Sequence, residues 1–266
     1  MTKTDYDNLL FEVTDRCARV TLNRPARLNS FTEAMHADLA DVLTYLEEGR
    51  SNAKVLVLTG AGRAFCAGQD LSEGQMSGDG EVDLGHTVDR LYGPLVRRLR
   101  ALPIPVIAAV NGVAAGAGAN MALACDIVMA AESAFFLQPF VKLNLLPDTG
   151  GMYLLPRLVG EARAMGLSLL GDRLSAVQAQ SWGLIWKAVP DAAFASAVAA
   201  VVDQLKDGPP LAHAHIKRVI HVSLSNDLNE QLDLERDSMR ELGQTRDYRE
   251  GVSAFLEKRA PSFQGN

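Results

Sequence analysis

The chain has 266 residues, 48% of them hydrophobic and 22% charged, with a formal net charge of −6. That length holds one large α/β domain with an ample core, alone or with a small appendage. The acidic balance argues against nucleic acid as a partner. The odd set Cys17, Cys66 and Cys125, without CxxC spacing, points to buried reduced thiols in a reducing, cytoplasmic compartment.

In chain order, the N-terminus has no basic-then-apolar run of the signal-peptide kind. LLFEVT (9–14), a turn at Asp15-Arg16 and ARVTLN (18–23) read as a hairpin. SFTE (30–33) has the form of a capping box opening a helix whose apolar side is Phe31, Met35, Leu39, Val42, Leu43 and Leu46, with Gly49 placed to end it. KVLVLTG (54–60) is apolar on both faces, as in a buried parallel strand. PVIAAV (105–110), DIVMAA (126–131) and AFFLQ (134–138) are further strands. Helical patterns cover 88–101, 116–125, 161–170, 191–206, 210–223 and 228–242. The uncharged run 106–125 is long enough for a membrane span, but Asn111-Gly112 interrupts it, and a strand, turn and helix account for it better. This order predicts an α/β core over residues 1–190 and a helical C-terminal region over 191–266.

The chain has no GxSxG, HExxH, GxxxxGK[ST] or CxxC motif, and its one close histidine pair, His213 and His215, reads as solvated. No metal ligand set and no resident cofactor are expected. GAGANM lacks the third glycine of a dinucleotide fingerprint. Two turns carry more. AFCAGQDL (64–71) and NGVAAGAGANMAL (111–123) bring small residues to the ends of buried strands, where α/β sheets bind ligands. One backbone amide from each could hold an oxyanion. Tight helix–sheet packing at Gly112, Gly116 and Gly118 explains the same glycines. Asp148, alone in LNLLPDTGGMYLLP (143–156), is either the N-cap of a helix near 150–158 or a carboxylate that does chemistry.

LNRPARLNS (22–30), TGAGRAFCAGQDL (59–71), PVIAAVNGVAAGAGAN (105–120), CDIVMAA (125–131), GDRLSAVQAQSWGL (171–184) and REGVSAFLEKR (249–259) together resemble the crotonase (enoyl-CoA hydratase/isomerase) superfamily in order and spacing, over nearly the whole chain. The resemblance implies a spiral of ββα units with a helical C-terminal oligomerisation region, and a homotrimer or dimer of trimers. It implies an acyl-CoA substrate, with coenzyme A as part of that substrate. The Gln69 and Ala117 amides would form the oxyanion hole on the thioester carbonyl. Arg24, Arg27, Leu28, Ala67, Asp70 and Leu71 would contact CoA, with Phe255 and Lys258 reaching a neighbouring subunit's ligand; a solvated surface charge is the other reading of Arg24, Arg27 and Lys258. Hydratases of the superfamily add water with two glutamates, and this chain has Asn120 and Phe140 in their places. Neither transfers a proton, so the resemblance leaves Asp148 as the acid/base, with Asn120 either orienting it or packing. PDTGG, YLLPR, QLDLERD and DYREGVSAFLEKR are most similar to a branch that isomerises a ring-epoxide CoA thioester to an oxepin. Shift of a double bond in an aliphatic 3-enoyl-CoA is the alternative within the enzyme class, and a non-catalytic CoA-binding or scaffold protein the alternative outside it.

Overall fold

The protein is described by a computed structural model covering residues 2–72 and 83–266. The chain opens with β1 (Thr2–Asp5), β2 (Leu9–Thr14) and β3 (Cys17–Leu22), then α1 (Glu33–Glu47), β4 (Val55–Gly60) and the short β5 (Ala64–Cys66). Next come α2 (Leu84–Thr87), a π-helical turn over Val88–Tyr92, α3 (Gly93–Ala101), β6 (Val106–Val110), β7 (Val113–Ala115) and α4 (Ala117–Leu123). The third stretch holds β8 (Ile127–Ala131), β9 (Phe135–Leu137), α5 (Gly151–Val159), α6 (Glu161–Leu170), β10 (Arg173–Ser175), α7 (Ala176–Trp182) and β11 (Lys187–Val189). Four helices finish the chain: α8 (Asp191–Lys206), α9 (Pro210–Val222), α10 (Leu228–Gly243) and α11 (Arg246–Glu257).

The strands divide by length. The longer ones form a seven-stranded sheet in the order β1-β2-β3-β4-β6-β8-β11, antiparallel through β3 and parallel beyond it. The short ones form a four-stranded sheet, β10-β9-β7-β5, with β9, β7 and β5 parallel. Each turn of the chain lays one strand in each sheet and then a helix, which is the expected spiral of ββα units. Three-residue strands such as β5 and β7 are too short to show a period, so the second sheet is not visible in the sequence.

KVLVLTG is buried on both faces as predicted: Leu56 and Leu58 enter the larger core, while Val55 and Val57 enter a second cluster with Ile107 and Met129. α8 closes that second cluster with Val198 and Val202.

Helix α1 starts later than the SFTE box implies. Phe31 is held extended by pairing with the 68–70 turn (Phe31 N to Gly68 O, 2.7 Å; Asp70 N to Phe31 O, 2.9 Å). The cap therefore falls to Thr32, whose hydroxyl oxygen accepts from Met35 N at 3.1 Å, while the Ser30 hydroxyl donates to the Arg27 carbonyl. A tertiary strand contact overrides the local capping signal. Asp148 likewise fails as a helix cap. The residue before α5 is Gly150, with no side-chain cap, and only the Asp148 carbonyl accepts from Gly151 N, at 2.7 Å.

Candidate active site

The ends of β5 and β7 converge on one cavity of about 1070 Å³. The loop after β5 supplies Ala67, Gly68 and Gln69, and the start of α4 supplies Gly116 and Ala117. Gly68 has φ +92°, and a Cβ there would sit 2.9 Å from the Ala115 carbonyl and 3.5 Å from the Ala117 nitrogen. Only glycine lets the two loops approach this closely. Gln69 N and Ala117 N make no hydrogen bond within the protein among the described residues: Gln69 lies between the two bonded peptides of the Phe31 bridge, and Ala117 is the first residue of its helix. Two unpaired donors on one apolar wall can take one oxygen that gains negative charge.

The loops that carry these amides are braced from below. Asn29 is fully buried in the left-handed region (φ +57°); its amide donates to the Ala61 and Ala64 carbonyls and accepts from Arg24 N. The Arg24 guanidinium donates to Asp70 Oδ2 at 3.0 Å and to the Ser30 carbonyl at 2.6 Å. Ser72, through its hydroxyl and backbone N–H, and Arg24 hold the Asp70 carboxyl down at about 2. The Tyr92 hydroxyl donates to the Gln69 side chain, and the Tyr92 ring stands edge-on to Phe31 and His36.

Asp148, Thr149 and Gly150 line the same cavity. Asp148 is half-buried in the wall, and desolvation raises its pKa above the ordinary carboxylate range; the Thr149 hydroxyl, which donates to Oδ1 at 2.8 Å, works in the opposite direction. The other carboxylates of the wall are unlike it. Glu33 is salt-bridged to Arg90 at the exposed rim, and Asp89 is exposed. Phe140 packs its ring against Gly116, and Leu143, Leu145 and Leu146 continue the apolar lining.

Asn120 is fully buried and is not part of the lining. Its Nδ2 donates to the Asp148 carbonyl at 2.8 Å, and its Oδ1 accepts from Gln138 Nε2 at 2.7 Å. It touches the backbone of Asp148, then, and not the cavity.

The sequence-predicted residues therefore divide. Ala67, Gln69, Leu71, Ala117 and Asp148 share the cavity wall. Arg24 and Asp70 pair with each other beneath it, and Leu28 lies in the left-handed region of the same loop. Arg27 is exposed on a 3-10 turn, and Phe255 (83% exposed) and Lys258 lie at the end of α11, outside the lining. Thr149, Gln138 and Tyr92 escaped the sequence reading. The two glycines after Thr149 and the proline after Gln138 are local signals of tight turns; Tyr92 carries none beyond its helical pattern. Among the described residues no group of three or more His, Cys, Asp or Glu is placed to hold a metal, and no helix is long and apolar enough to cross a membrane.

The family model described as enoyl-CoA hydratase/isomerase matches residues 12–266. The 1,2-epoxyphenylacetyl-CoA isomerase of Escherichia coli (strain K12) is 55% identical over 247 residues, covering 92% of this chain and 94% of that protein. A protein named "Probable enoyl-CoA hydratase" from Rhodobacter capsulatus is 46% identical over 260 residues, covering 98% and 99%. The crystal structure of an enoyl-CoA hydratase from Bacillus anthracis superposes with a TM-score of 0.92 at 35% identity, covering 98% of this chain and 100% of that one.

Proposed function

Since the chain belongs to the enoyl-CoA hydratase/isomerase family, we propose that it is an acyl-CoA isomerase that converts ring-1,2-epoxyphenylacetyl-CoA to its oxepin-CoA isomer in phenylacetate catabolism. The observation that carries this reading is the Asp148 carboxylate: half-buried, on an apolar wall, with its pKa raised by desolvation, while the places of the two hydratase glutamates hold Asn120 and Phe140. The relative named for this activity supports the choice of acyl group.

The chemistry follows from the geometry. The thioester carbonyl oxygen sits on the Gln69 and Ala117 amides, and Asp148, which lines the same cavity, meets the acyl carbons. Removing the proton on the carbon beside the carbonyl breaks that C–H bond, forms O–H on Asp148 and leaves the electron pair shared with the carbonyl oxygen, where the two amides stabilise it. The bond between the two epoxide carbons breaks as the ring expands to the seven-membered oxepin, the electron pair forms a double bond between the α-carbon and the ring, and the proton returns from Asp148 to a ring carbon, so composition is unchanged. One carboxylate alternating between base and acid is sufficient, and no water is consumed. Phe140, 9% exposed and packed on Gly116, puts a hydrocarbon ring at the place of a hydratase glutamate.

Arg24, Arg27, Leu28, Ala67, Asp70 and Leu71 are proposed to line the CoA path, Arg24 and Asp70 mainly by bracing it. Exposed apolar side chains on α9 to α11, among them Ile216, Ile220, Leu228, Leu232 and Leu256, support assembly into a trimer or pair of trimers with Phe255 and Lys258 at a neighbour's ligand. The free cysteines support a cytoplasmic setting. A second reading, double-bond shift in an aliphatic 3-enoyl-CoA, is favoured by the volume of the cavity, which admits a chain as readily as a ring. A pure scaffold would have no use for two unpaired amides in one cavity with a desolvated carboxylate.

Asp148→Asn tests the assignment. It keeps size and most hydrogen bonds and removes the base, so isomerase turnover should fall by about 10²–10⁴. Near-normal turnover in a folded variant would refute it. Comparing kcat/KM for the ring epoxide and a 3-enoyl-CoA on one preparation separates the two substrates.

A further inference from the structure

Thr149 occupies a backbone position that suits threonine poorly. Its φ is +52°, and Gly150 follows at +79°. A β-branched residue is strained in the left-handed region, where glycine or asparagine is the usual occupant. The residue is also only 3% exposed, so the strain is not relieved by solvent or local freedom. Strain retained in a buried turn on a cavity wall calls for something that only this side chain supplies. What threonine adds over glycine is a hydroxyl, and Oγ1 donates to Asp148 Oδ1 at 2.8 Å. This is the one side-chain hydrogen bond to the Asp148 carboxylate among the described residues.

On the reading that Asp148 is the base, we infer that Thr149 is its positioning residue: the hydroxyl holds Oδ1 and leaves Oδ2 as the oxygen that takes the substrate's proton. The backbone of Asp148 is already fixed, because its carbonyl accepts from both Asn120 Nδ2 and Gly151 N. The two rotations of the side chain, about Cα–Cβ and Cβ–Cγ, are the freedom that remains, and the Thr149 hydroxyl restricts them. The same hydrogen bond favours the ionised carboxylate, opposing the desolvation that raises it. Its loss should shift the acid limb of the rate profile to higher pH and lower the plateau, because the base is no longer aimed.

Glycine separates this role from a turn-forming one. Thr149→Gly suits the backbone better than the native residue, so a purely structural threonine predicts unchanged turnover and equal or higher thermal stability. Exchange of the α-hydrogens of phenylacetyl-CoA in D2O, followed by mass spectrometry across a pH series, reads proton abstraction directly. Thr149→Gly and Thr149→Val should each lose roughly tenfold or more in plateau kcat, with KM changed less than about twofold and the acid limb moved upward. Thr149→Ser should recover most of the loss. Thr149→Gly relieves the left-handed φ at this position, so it is expected to fold and report even if the valine variant does not. Native plateau and native acid limb in Thr149→Gly would overturn the inference. Asp148→Asn run alongside distinguishes the two failures: exchange retained there removes the base assignment itself, whereas exchange lost there but native in Thr149→Gly removes only the positioning role.

Discussion

Gly151→Ala is predicted to damage the site without touching any group in the cavity wall. A Cβ at this position would lie 2.4 Å from Nδ2, 2.8 Å from Cγ and 3.0 Å from Oδ1 of Asn120. Ordinary contact begins near 3.4 Å, so the nearest atom must retreat by about 1 Å, and since all three amide atoms are close, rotating the amide does not clear the clash. The amide must withdraw as a whole, breaking its bonds to the Asp148 carbonyl and to Gln138. Strain of about 1–3 kcal/mol, with about 1–3 kcal/mol for the buried Gln138 amide left unpaired, gives a loss of roughly 2–6 kcal/mol. For a chain of this size that lowers Tm by roughly 4–11 °C. Asp148 keeps only the Gly151 amide on its carbonyl, and a base displaced by about 1 Å costs up to about 10²-fold in rate. Thermal unfolding by circular dichroism and kcat from α-hydrogen exchange measure the two effects on one preparation. Gly166→Ala is the control: it lies inside α6 with nothing within 4 Å of the added Cβ, and it should be neutral or stabilising by up to about 1 kcal/mol. Native Tm and native kcat in Gly151→Ala would refute the claim that Asn120 holds the Asp148 backbone.

Three further outcomes follow from buried charge. The folded pKa of Asp148 is raised, so this group's contribution to stability is greatest at low pH and is lost as pH rises through the folded value; Asp148→Asn should therefore raise Tm at neutral pH while turnover falls by about 10²–10⁴, and a lower Tm would contradict the desolvation argument. His36 is buried against Phe31 and Tyr92, with burial first and Arg90 second holding it down at about 4. Because its folded pKa lies below its unfolded value, stability falls as pH drops from about 6.5 towards 4, by up to roughly 3 kcal/mol, and urea titrations at both ends of that window should show a smaller drop in His36→Leu. Lys217 is buried, donates to the Leu99 and Ile104 carbonyls and pairs with Asp126 at 2.8 Å, tying α9 to the sheet. Lys217→Met strands the Asp126 charge and should cost about 3–5 kcal/mol, part of it recovered by adding Asp126→Asn; no change in urea midpoint would show that the pair is not a net tie.

Elements whose signal is local were legible in the sequence. The two-faced apolar run of β4, the helical periods of α6 and α8, and the left-handed Gly49 after α1 each express spacing within a few residues. The family resemblance named Gln69, Ala117 and Asp148 together, because the motifs that carry it are short stretches of local sequence, and all three line one cavity. Tertiary contacts decided the rest. Thr32 caps α1 in place of Ser30 because Phe31 is drawn into pairing with residues 68–70, far along the chain. Asp148 is no helix cap because α5 begins at Gly151, while Asn120, 28 positions earlier, donates to the Asp148 carbonyl and Thr149 to its carboxylate. Whether Asn120 faces substrate or backbone, and whether Thr149 is a turn residue or a clamp, depends on which surfaces packing brings into contact. Periodicity and capping preferences act along the chain and carry no information about that distance; the fold supplies it by closing the spiral so that α4 lies against the start of α5.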